Sequence, residues 1–257
     1  MINMFKADLY RSIKSKGMFF LILAVIATFL ASIFLHEPGG IRIAGAFRED
    51  AKLKFDIQQI ALNFSYFYFF IIPVYVLISS EFGEKTIKNT ITSAISKRKY
   101  YISKYLFTVM LCDVVFVLGN LMFYVVNMLV NDGKYVSDFG FFFGKLMLQL
   151  PIITAVVSLF VCLAFVIKKG AVFNALTIVF PILYMSIAAF IVGSAKNEKV
   201  RDFVFDYFLK YEVSKMLNDV VIWKNAAYRN ECWLICAIAI AVTFVLGYLS
   251  FTKREID

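Results

Sequence analysis

Residues 81–104 read EFGEKTIKNTITSAISKRKYYISK, a basic and polar segment set between two long apolar runs. The segment is too short for a domain and too charged to cross lipid, so it divides the chain into membrane spans and loops. Within it Ile87, Ile91, Ala94 and Ile95 recur at i, i+4, i+7 and i+8, which predicts a helix from about Thr86 to Ser96 with one apolar stripe. Lys88, Asn89, Thr92, Ser93 and Ser96 lie off that stripe. Such a helix at the cytoplasmic face of a membrane can bury its stripe against its own bundle and offer its polar side to a soluble partner. This is the pattern of a coupling element.

The composition around this segment agrees. Of 257 residues, 61% are hydrophobic and 18% aromatic, with a mean hydropathy of +0.77. Soluble domains are about half apolar, so the expected class is an all-α polytopic membrane protein. The formal net charge is +9. The cations sit in short loops at span ends, where cytoplasmic retention and anionic membrane lipid account for them, and nucleic acid is not expected as a partner.

Apolar runs predict six transmembrane helices within one domain over 1–257, at 17–35, 57–79, 105–130, 141–167, 171–193 and 232–251. The first run exceeds the roughly 7 to 15 residues of a signal-peptide core and is expected to remain in the mature chain. Residues 1–16 place Ile2, Phe5, Leu9 and Ile13 at helical spacing among cations, which predicts an N-terminal interfacial helix. Pro73 predicts a kink in the second span. Lys and Arg divide almost evenly between the two proposed sides, but those placed inside are denser and sit at span ends. Both termini are therefore expected in the cytoplasm, the protein being a multi-pass plasma-membrane protein. A Lys- and Ile-rich composition fits a bacterium.

In the third span Asp113, Asn120 and Asn127 are spaced by seven and nearly share a helical face. An ionisable group inside a span faces the bundle or a wet cavity, which makes this stripe a pathway candidate; Asn also serves as interhelical hydrogen-bonding glue. The hydrophilic stretch 194–231 holds Val200, Phe203, Val204, Tyr207, Phe208 and Tyr211 at helical spacing, predicting an external amphipathic helix between spans five and six. Its aromatics Phe203, Tyr207, Phe208 and Tyr211 suit an external gate or, equally, a surface resting on lipid. Cys112, Cys162, Cys232 and Cys236 fall in apolar runs and read as packing thiols, and His36 as an interfacial residue.

The pair Glu81-Phe82, the run Thr86-Ile87-Lys88-Asn89, the turn Ser96-Lys97-Arg98 and Ser103-Lys104 together resemble the first cytoplasmic loop of ABC-2-type permeases, the membrane subunits of ATP-driven exporters. One position departs: Lys85 stands where that family usually has glycine, with Gly83 two residues earlier. The resemblance implies that Glu81, Phe82, Thr86, Ile87, Lys88, Asn89, Arg98 and Lys104 contact or orient a separate cytosolic ATP-binding cassette subunit, which would hold the ATP and Mg. It also implies a second permease, identical or similar, and a cargo exported from the cell. The aromatic second span and the polar third span suit an amphipathic peptide or a hydrophobic small molecule.

The chain contains no G-x-x-x-x-G-K-[ST], so no ATP hydrolysis is expected from it by that route, and it is expected to bind no cofactor of its own. An intramembrane enzyme would need converging nucleophile and base or paired carboxylates, and Asp113 is the one carboxylate deep in a predicted span. A non-transporting scaffold, sensor or immunity protein that sequesters a peptide shares every feature described and stands as the alternative.

Overall fold

The computed structural model describes residues 2–34, 64–83, 87, 90–91, 95–130, 138–167, 169–194, 198–204, 210–222 and 226–253. Apolar backbone in lipid must satisfy its own polar groups, and the described parts of the long apolar runs do so as helices. The regular elements are α1 (Ile2–Lys14), α2 (Lys16–Phe34), α3 (Phe64–Val74), a π-helical turn (Tyr75–Ser79) and α4 (Ser80–Gly83). They continue with α5 (Lys97–Val130), α6 (Phe139–Ile167), α7 (Gly170–Ser194), α8 (Glu198–Phe203), α9 (Val213–Ile222) and α10 (Ala226–Lys253). No strand occurs among the described residues. Among the described residues three helices, within α5, α6 and α10, are long and apolar enough to cross a membrane.

Helix α6 is the centre of the packing. Of its most apolar stretch 56% is buried, against 24% in α5 and 22% in α10, and it touches α3, α5, α7, α9 and α10. On α5 the two faces separate cleanly. Tyr105, Thr108, Cys112, Phe116, Asn120 and Tyr124 are buried, whereas Leu106, Met110, Val114, Leu118, Met122 and Val125 are exposed. Each series steps by three or four residues, so one stripe faces the bundle and the opposite apolar stripe is left for lipid.

α5 begins at Lys97, eight residues before the expected span. A helix of 34 residues extends about 50 Å, well beyond the roughly 30 Å of hydrocarbon, so its basic first turns can lie outside the lipid. At Pro73 the helix does not stop. Proline supplies no N–H and crowds the preceding turn, and directly after it the helix loosens into the π-helical turn, where the Ser80 N–H reaches the Tyr75 carbonyl five residues back.

The predicted external helix is described only in part, residues 205–209 of its pattern lying outside the described residues. α8 ends at Phe203, and Tyr211 lies in a turn. A second amphipathic helix, α9, follows, with Met216, Leu217 and Val220 buried against α6. The four cysteines are buried and unpaired.

Candidate functional site

α1 turns its polar side inward. Asp8 and Ser12 are buried at 4% exposure, while Leu9 and Ile13 on the opposite side are 47% and 72% exposed. Of the apolar residues read from sequence as an interfacial stripe, Leu9 and Ile13 thus point away from the bundle, where lipid can take them up, while Phe5 packs inward. Phe5 anchors the helix from below, its ring 5.5 Å from that of Phe107 on α5.

Asp8 then meets two segments distant in the chain. Lys104 Nζ lies 2.5 Å from Asp8 Oδ1 and 2.5 Å from Glu81 Oε1, bridging α1 and α4 from its place on α5. Arg11, one turn after Asp8, pairs with Glu81 and donates to Ser80 Oγ at 3.1 Å. The Tyr100 hydroxyl donates to the other Glu81 oxygen. Two carboxylates and two cations therefore close a compact, nearly neutral cluster, in which the side chains of Lys104, Asp8 and Glu81 are 3%, 6% and 10% exposed. Burying charge at this depth is tolerable only when each group finds a partner. Asp8 is the least satisfied: its Oδ2 has no hydrogen-bond partner among the described residues. Burial accordingly raises the Asp8 carboxyl above its ordinary range, against the opposing pull of Lys104.

The cluster rests on an aromatic knot. Phe82 meets Phe165 and Phe251 edge-on, with centroids 5.9 and 6.2 Å away. The Tyr100 ring stacks on Phe251 at 5.5 Å, and Phe165 lies 5.0 Å from Phe251 and 4.7 Å from Tyr101. These rings join the end of α4 and the start of α5 to the last turns of α6 and α10. Tyr100 belongs to both layers, its hydroxyl to the ions and its ring to the knot.

Of the residues predicted for coupling, Glu81, Phe82 and Lys104 come together here and are held by the chain's own side chains. Ile87 is 2% exposed in the same core, with Ile91 and Ile95 packed against it, so the stripe read from the sequence faces the bundle. Arg98 stands exposed on the first turn of α5 beside exposed Lys99. Thr86, Lys88, Asn89, Tyr207 and Phe208 lie outside the described residues, as do the connection 36–56 and the side chain of Asn127.

The polar stripe of α5 finds partners within the bundle. Both oxygens of Asp113 lie 3.1 to 3.2 Å from Thr154 Oγ1 on α6. Asn120 is buried and donates to the Phe116 carbonyl of its own helix at 2.7 Å, while its Oδ1 has no hydrogen-bond partner among the described residues. A hydroxyl chain that the sequence reading did not anticipate runs from Tyr105 to Ser158 at 2.5 Å and on to Thr243 at 2.6 Å, linking α5, α6 and α10. Of the external aromatics, Phe203 is exposed; Tyr211 stacks on Tyr228, and its hydroxyl donates to Glu231.

Sequence inspection missed Asp8, Arg11, Tyr100, Phe165 and Phe251. The accessible signal was Asp8 itself, a lone carboxylate among the cations of an amphipathic helix. No protein-family model matches the chain, and no curated protein is detectably similar to it.

Proposed function

We propose that the chain is the transmembrane subunit of an ATP-driven exporter of the ABC-2 type, working with a separate cytosolic ATPase and a second permease. In this reading all six apolar runs cross a bacterial plasma membrane, both termini face the cytoplasm, and the cargo is an amphipathic peptide or a hydrophobic small molecule.

The observation that carries the reading is that Ile87 is buried, and Ile91 and Ile95 are partly buried, against the core, beside the tethered pair Glu81-Phe82. A segment anchored by its apolar stripe keeps its polar side for a partner. Glu81 and Lys104 then act by fixing the segment to α1 and α5, and Arg98, exposed on the first turn of α5, is the residue assigned to touch the ATPase in this reading. Closure of the ATPase would push on a junction that ties α1, α4, α5, α6 and α10 together, the requirement for moving spans as a unit.

The test is affinity purification of the chain from detergent-solubilised membranes of its native host, followed by assay of ATP hydrolysis in what co-purifies. A stoichiometric ATP-binding cassette subunit, weakened by Arg98→Glu while the permease stays inserted, is expected. Absence of any such subunit under mild conditions would transfer the assignment to a scaffold or sensor. Asp113→Ala combined with Asn120→Ala separates pathway from packing: full transport by the double variant removes both residues from the pathway.

A further inference from the structure

Beside the ionic junction, α1, the start of α2, the π-helical turn and α7 enclose a cleft of about 700 Å³. Three cations line it, Arg11, Lys14 and Lys16, and no carboxylate belongs to its described wall. Arg11 is engaged by Glu81 and Ser80, but Lys14 and Lys16 are exposed and make no ion pair among the described residues. Phe20, Ile72 and Val76 give the cleft an apolar part, beside which Tyr75, Ser80 and Asn174 also line it. Phe19 and Phe20 are 61% and 63% exposed, so this apolar part continues onto a surface open to acyl chains.

Cationic and apolar side chains thus line one cavity. A soluble anion would use only the cations, and a neutral hydrophobe only the apolar part. An anionic phospholipid uses both, because its phosphate can sit between the lysines while its chains run along α2 into the bilayer; basic pockets between membrane helices select such headgroups. We propose that this cleft is a binding site for one anionic phospholipid, held by Lys14 and Lys16 at the phosphate and by Phe20, Ile72 and Val76 along the first carbons of its chains. The site is independent of any ATPase partner. Its wall includes Arg11 and the π-helical turn, so an occupying lipid would also brace the junction from outside.

Native mass spectrometry of the full-length chain in neutral detergent, titrated with phosphatidylglycerol or phosphatidylcholine, tests this. The expected result is one saturable equivalent of phosphatidylglycerol, bound at least about tenfold more tightly than phosphatidylcholine, with the preference abolished in Lys14→Glu/Lys16→Glu. Lys6→Glu, the same charge change elsewhere on α1, should keep it. If the charge-reversed chain does not fold, Lys14→Gln/Lys16→Gln makes the same test. A preference unchanged in the double variant, or non-saturable uptake of both lipids, overturns the proposal. Displacement of the lipid by an equal concentration of inorganic phosphate would reduce the site to an anion pocket and overturn the lipid assignment.

Discussion

Among the described residues, two lysine–glutamate pairs of nearly identical chemistry stand in opposite surroundings. Lys104 and Glu81 are 2.5 Å apart with side chains 3% and 10% exposed, whereas Lys210 and Glu231 are 3.3 Å apart at 37% and 46%. In water the attraction is screened, and holding two long side chains together offsets most of it. In the interior the attraction is strong, but so is the cost of removing charge from water. The buried pair therefore stabilises little as a whole and costs much when broken, because any survivor is stranded. Its value is positional: three segments far apart in sequence have one arrangement in which all the charges are matched.

The largest test breaks the buried pair on one side. Lys104→Met leaves Asp8 and Glu81 facing one another without the lysine that bridges them, and a loss of about 3–5 kcal/mol is expected from thermal or denaturant unfolding in micelles. A loss below about 1 kcal/mol would mean that water reaches the cluster. Next, Asp8→Leu and Glu81→Leu added to Lys104→Met should recover most of that loss, since Arg11, 30% exposed, can turn to solvent. Failure to recover would assign the cost to lost packing instead of stranded charge.

A smaller effect follows from Asp8 alone. Its carboxyl is raised above 3.8 chiefly by burial. A group whose folded value is raised contributes stability that is fully present below its unfolded value and is lost as pH rises through the folded one. Comparing wild type with Asp8→Asn across the range just above pH 3.8 should show the wild type alone losing stability as pH rises. The opposite slope would show that Lys104 outweighs burial. Smallest of all, Lys210→Met should leave the unfolding midpoint unchanged at high salt; a clear loss there would erase the contrast between the two pairs.

Most helices were legible because lipid leaves an apolar run few alternatives: the runs beginning near Gly17, Phe141, Ala171 and Cys232 each lie in a helix with ends a few residues from those expected. The start of α5 was not legible, since Lys97, Arg98 and Lys99 look like a loop until Tyr100, Tyr101 and Lys104 are seen to be buried one and two turns later. α9 was written in the spacing of Val213, Met216, Leu217 and Val220, but the hydrophilic character of its surroundings masked it. The stripe of Ile87, Ile91 and Ile95 could be read because periodicity is local. The junction could not, because nothing local to Glu81 or Lys104 announces Asp8, 96 positions from its lysine.

The π-helical turn sets the angular phase of everything that follows it. Each residue of an α-helix advances about 100° around the axis and each residue of the wider π turn advances less, so the same five residues wound as regular α-helix would carry Ser80–Gly83 well round from their present phase. Glu81 would then swing off the face that meets Lys104, and Phe82 off the face that meets Phe165 and Phe251. The apparent irregularity after Pro73 is a spacer whose winding is matched to the orientation of two side chains.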